Sequence, residues 1–100
     1  MPIDAGPASV CCIELFGLAR LAAGVSKVLL PLRGPVTLST AVSLLAKACP
    51  GLVGKAIRDD GGALMDGYVL NFNGLSFVDD PSATISPGDR LLLLSDQAGG

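Results

Sequence analysis

The sequence predicts an α+β domain: a mixed sheet of about five strands crossed by one main helix, in the order β-β-α-β-β-β. Three observations predict it. Apolar runs of strand length stand near both ends of the chain, at 10–16 and 91–94. One central stretch repeats its apolar residues in steps of three and four, as an amphipathic helix does. Turn residues, Asn73-Gly74 and Ser86-Pro87-Gly88-Asp89, divide the second half into short pieces.

One hundred residues is one domain, and a composition half hydrophobic and 16% charged belongs to a folded chain. The seven Lys and Arg are scattered and the formal charge is −2. That lacks the basic face a nucleic-acid partner needs, so no nucleic acid is expected. Histidine is absent, which removes the commonest general base and metal ligand. Cys11, Cys12 and Cys49 are odd in number and have no C-x-x-C spacing, so neither a disulfide framework nor a metal site is expected. No apolar run reaches bilayer-spanning length, and the acidic, proline-containing start is not a signal peptide. A cytoplasmic protein without membrane contact is the expectation. No acid–base pair or nucleophile constellation points to an enzyme.

The expected domain occupies residues 10–95, between a flexible leader at 1–9 and a flexible tail at 96–100. In the first strand, 10–16, period two puts Cys11, Ile13 and Leu15 on one face and Cys12, Glu14 and Phe16 on the other. Glu14 marks the second face as the open one. Residues 17–24 make a short helical turn closed by Gly24. A second strand at 25–32 ends against Pro31, which suits an edge. Thr37 is a good N-cap for the helix, whose apolar stripe is Leu38, Val42, Leu45, Cys49 and Leu52. Pro50-Gly51 stops it. Residues 53–67, with Arg58-Asp59-Asp60-Gly61-Gly62 inside, read as a mobile connection. A strand at 68–72 puts Tyr68, Leu70 and Phe72 on the core face. Asn73-Gly74 makes a tight turn needing positive φ, and a short strand returns at 75–78.

The last strand, 90–94, is apolar at every position from Leu91 to Leu94, which fits a central strand buried on one face and covered or docked on the other. With Leu91 and Leu93 toward the helix, Leu92 and Leu94 point outward beside Phe16. After Ser95 the chain turns polar, then small: Asp96-Gln97-Ala98-Gly99-Gly100. A carboxylate on a residue without a side chain passes down a narrow channel, since glycine lets backbone approach a partner most closely. Ordering five such residues costs on the order of 5–10 kcal/mol. A second contact from the folded face is therefore needed. The outward Phe16, Leu92 and Leu94, with Gln97 and Ala98 on the approach, are the candidates.

This architecture is that of the ubiquitin-like β-grasp roll. Phe16-Gly17-Leu18-Ala19-Arg20 followed by Ala23-Gly24 resembles the segment after the first strand in the MoaD/ThiS family of sulfur carriers. Asn73-Gly74, Pro87-Gly88-Asp89-Arg90, the apolar run and Ala98-Gly99-Gly100 resemble its second half. Leu21 departs from the family's usual acid, and Ser95-Asp96-Gln97 replaces the proline-rich approach of the molybdopterin branch.

The resemblance implies a carrier and not an enzyme. Its Gly100 carboxylate would be adenylated by an ATP-dependent MoeB/ThiF-like activating enzyme, then converted to a thiocarboxylate (1-thioglycine). Gly99 would assist, and no cofactor would be bound. The receiving partner would be a synthase, first of all the large subunit of molybdopterin synthase. Thiamine, cysteine or another pathway is the alternative. Two other classes stay open: a ubiquitin-like modifier conjugated to lysines through Gly100, and a plain binding domain indifferent to loss of Gly99-Gly100.

Overall fold

The computed structural model describes residues 10–95. The expected leader and tail, with Gln97, Ala98, Gly99 and Gly100, lie outside the described residues. Five strands form one mixed sheet in the order β2-β1-β7-β4-β5. They are β1 (Val10–Leu15), β2 (Lys27–Pro31), β4 (Tyr68–Phe72), β5 (Ser76–Val78) and β7 (Arg90–Ser95). β7 is central, parallel to β1 and antiparallel to β4. β2 lies at an edge, where Pro31 withholds no donor that the sheet needs.

Helix α2 (Leu38–Ala48) crosses the inner face. It starts where the sequence places it: Thr40 N–H donates to Thr37 Oγ1 at 3.1 Å, satisfying a free first-turn donor. All five residues of its stripe are buried. The last two lie past the helix. Cys49 is its C-cap, and Leu52 closes a 3-10 turn begun by Pro50. Against this stripe the sheet presents Cys11, Ile13, Leu15, Leu70, Leu91 and Leu93, all buried. Tyr68 and Phe72 pack at the margin of the same core. The turn at Asn73 and Gly74 has φ of 55° and 75°, as the pair demands.

Three features differ from the sequence reading. The connection after β1 is a full helix, α1 (Gly17–Ala23), closed by Gly24 at φ 79°. It packs on the 3-10 turn so closely that a Cβ at Gly51 would run into the Ala22 carbonyl. A second, two-stranded sheet pairs β3 (Val36–Thr37) with β6 (Thr84–Ile85). Two residues per strand are too few to show a period.

Residues 53–67 are the third correction: they are folded onto the core. Ala56 and Ile57 are fully buried. Gly54 N–H donates to the Ile57 carbonyl at 2.7 Å, Arg58 N–H to Ala63 at 2.8 Å and Met65 N–H to Ala56 at 2.9 Å. Ser43 Oγ ties the segment to α2 through the Gly61 carbonyl at 2.9 Å. The polar Asp59-Asp60-Gly61-Gly62 tip conceals two core residues beside it. Ile57→Ala is expected to cost about 2–5 kcal/mol and to lower Tm by about 10 °C or more. A thermal melt unchanged from wild type would mean that the segment adds nothing to the core.

Cys11 is buried on the inner face of β1, which pushes its thiol up to about 11, with the charges of Asp89 and Cys12 adding to the rise. An unfolded thiol ionises near 9.0. Between those values the unfolded chain has released a proton that the folded chain keeps, so stability falls as pH rises. The urea midpoint is expected to drop through this window, and Cys11→Ala to flatten the slope. Cys49, also raised by burial, keeps a residue of it. Equal slopes in both proteins would refute the assignment to Cys11.

Candidate docking face and tail root

The outer face of the sheet is built by strand parity. Leu91 and Leu93 go to the helix side, so Leu92 and Leu94 go to the other, where both are half-buried. Phe16 follows β1 with extended backbone, φ −129° and ψ 154°, and its N–H donates to the Leu93 carbonyl at 3.2 Å. The alternation therefore runs one residue past the strand, and Phe16, 43% exposed, stands on the outer face level with Leu94. The structure thus brings Phe16, Leu92 and Leu94 together, as the sequence anticipates.

Their neighbours follow from the register. Leu92 lies between Glu14 of β1 and Asn71 of β4, and Leu94 beside Val69. Phe77, opposite Asn71 and largely exposed, extends the apolar surface toward the β5 edge. The sequence reading missed Val69 and Phe77 as members of this face. The alternation that sends Tyr68, Leu70 and Phe72 inward already sends Val69 outward; Phe77 needs the β4–β5 register. One ion pair flanks the patch. Arg90 Nη2 meets Glu14 Oε1 at 3.0 Å, and Nε reaches the same oxygen at 3.3 Å. Exposed as it is, that pair stabilises the fold by at most about 1 kcal/mol. Its effect is to engage the charge nearest the leucines.

β7 ends at Ser95, opposite Tyr68, at the same end of the sheet as Phe16. The last described residue of the strand therefore lies next to the apolar patch. A groove of about 430 Å³ lies elsewhere, between α2, residues 62–67 and the β4–β5 hairpin, and adjoins this face only at Val69 and Phe77. Among the described residues no cluster of His, Cys, Asp and Glu is arranged to hold a metal ion. None of their helices is long and apolar enough to cross a membrane.

The same fold recurs in solved structures. SAMP1 from Haloferax volcanii superposes with a TM-score of 0.77 at 27% identity, over 91% of this chain and 99% of that one. A structure of H. volcanii small archaeal modifier protein 1 matches at 0.71, also at 27% identity, over 85% and 94%. The chain is a ubiquitin-like β-grasp protein. Urm1 from Trypanosoma brucei shares the fold at a TM-score of 0.61 and 17% identity, over 96% of this chain and 100% of that one. No family model and no curated protein matches the sequence. The resemblance to MoaD/ThiS carriers, drawn from short motifs, and the structural neighbours lead to one class of β-grasp protein. In this β-grasp domain the sheet order puts β7 between two full partners. Its last residue, Ser95, is paired with Tyr68 of β4, two residues past the last match to β1.

Proposed function

We propose that this β-grasp protein is a sulfur carrier, itself a protein substrate, with Gly100 as the reacting residue. The observation that supports it best is the placement of Ser95. The central strand delivers the chain beside an outward apolar patch, and the sequence continues from there as Asp96-Gln97-Ala98-Gly99-Gly100. The carboxylate is a poor electrophile, so a MoeB/ThiF-like enzyme first joins it to the α-phosphate of ATP and releases pyrophosphate. A sulfur nucleophile then attacks the carbonyl carbon and AMP leaves. With hydrogen sulfide anion as that nucleophile, the C–S bond forms as the C–O bond to AMP breaks, and the C-terminal thiocarboxylate is the product with no change of oxidation state. Phe16, Leu92 and Leu94 hold the partner, while Gln97 and Ala98 set the reach. No cofactor takes part on this chain. As receiving partner we propose the large subunit of molybdopterin synthase; a thiamine- or cysteine-forming synthase is the alternative within the same chemistry.

A second reading has its own support. A neighbour at 27% identity is a small archaeal modifier protein. The same activated Gly100 would acylate lysine amines, and Lys27, Lys47 and Lys55 of this chain are themselves exposed. One experiment separates the readings. The protein is incubated with the activating enzyme, ATP and a sulfur donor, then weighed and mapped. Exchange of one oxygen for sulfur on the peptide ending at Gly100 supports the carrier; glycyl remnants on lysines support the modifier. Neither product, with an enzyme shown active on another carrier, would sink both.

A further inference from the structure

Helix α1 leaves two leucines in solvent. Leu18 is 66% and Leu21 76% exposed. They are three residues apart and share one side of the helix. The fold does not need them there. α1 is anchored by buried Ala19 and by Ala22 and Ala23 at the core margin. Replacing either leucine with a polar residue would leave that packing intact.

The position of α1 says what covers it. β1 and β7 run parallel, with Leu15 opposite Leu93, and α1 begins at Gly17. The helix packs against β7 and stands where that strand ends. Five residues, 96–100, follow Ser95, and fully extended they span at most about 18 Å. An enzyme that takes the Gly100 carboxylate into its active site has its reacting atoms inside that radius of Ser95. A protein body so close rests on the surfaces around Ser95, and α1 is one of them.

We infer that the Leu18–Leu21 stripe of α1 is a contact surface for the ATP-dependent enzyme that activates Gly100, continuous through Phe16 with Leu92 and Leu94. This rests on the proposed role of Gly100. The two patches meet at Phe16, which is both the last outward residue of the β1 alternation and the N-cap of α1. The partner thus grips two sides of the tail root. Arg20, exposed on the same helix, is the charge beside the stripe.

The test is carrier-dependent ATP–pyrophosphate exchange by a purified MoeB/ThiF-like enzyme from the same genome, using the full chain. Leu18→Gln/Leu21→Gln is expected to lower kcat/KM for the carrier about tenfold or more, with an unchanged circular dichroism spectrum. Leu18→Met/Leu21→Met should retain the wild-type value. Leu75→Gln is the control. Leu75 is 84% exposed on the β4–β5 turn, whose Asn73 N–H donates to the Arg90 carbonyl at the opposite end of β7. Its substitution should change nothing. If the glutamine pair exchanges within twofold of wild type, the inference is overturned while the Gly100 reading stands. If Leu75→Gln falls as far as the pair, the effect is a general surface one and the inference is overturned. If the pair instead turns a sedimenting dimer into a monomer and leaves exchange intact, the stripe serves a second copy. If wild type supports no exchange, the Gly100 reading fails, and this inference with it.

Discussion

Gly100→Ala is expected to lower carrier-dependent pyrophosphate exchange by at least about 100-fold, the penalty for displacing a reacting group by a fraction of a nanometre. Deleting Gly99 and Gly100 is expected to abolish it. In the proposed adenylation the carboxylate would approach the α-phosphate of ATP inside a channel that admits backbone. A methyl on the last residue would crowd such a channel, and it also narrows the φ, ψ range available to that residue. Stability gives the contrast. The buried cluster of the described residues runs from Cys11 to Leu93, so Tm should match wild type for both variants. Full exchange by Gly100→Ala would show that the last glycine is dispensable. Activity after the deletion, on a chain ending at Ala98, would refute the proposed chemistry at Gly100.

Leu92→Glu is expected to weaken the complex with the activating enzyme by about 30-fold, equivalent to about 2 kcal/mol, the level at which an interface residue counts as a hot spot. Leu92 is flanked by Glu14 and Asn71 on the outer face. A new carboxylate there lies opposite Glu14, whose nearest cation, Arg90, is already engaged at 3.0 Å. In the free protein the like-charge pair costs only about 0.2–1 kcal/mol, because the face is open to water. In the complex the charge is taken out of water with no partner. Titration calorimetry separates this effect from the first. The dissociation constant should rise for Leu92→Glu and stay near wild type for Gly100→Ala, while exchange falls in both. An unchanged affinity for Leu92→Glu would remove the sheet from the docking surface.

Much of what these predictions use was legible before any coordinates, and the residues show why. The start of α2 is decided within four residues, by the Thr37 hydroxyl and the Thr40 N–H. The β4–β5 turn is decided by two residues that tolerate positive φ. The outward place of Phe16 is carried by the alternation from Cys11, with Glu14 marking the wet side. Residues 53–67 misled because the eye follows their glycines and aspartates. Ile57 enters the core only because α2 and the sheet leave room for it, and a lone buried pair, Ala56-Ile57, has no period to announce itself.

The sequence by itself determined the main helix, the turns and the Gly99-Gly100 end, since each depends on residues a few positions apart. Tertiary structure decided the rest. Leu91 to Leu94 are equally apolar on both faces; pairing with β1 on one side and β4 on the other alone sends Leu91 and Leu93 inward. The parallel match of Cys12 with Arg90 joins residues from opposite ends of the chain. It sets Phe16, α1 and the end of β7 side by side. No local pattern encodes that meeting. It follows from burying one face of every strand at once, which leaves a single register in which Ser95 emerges between two apolar surfaces.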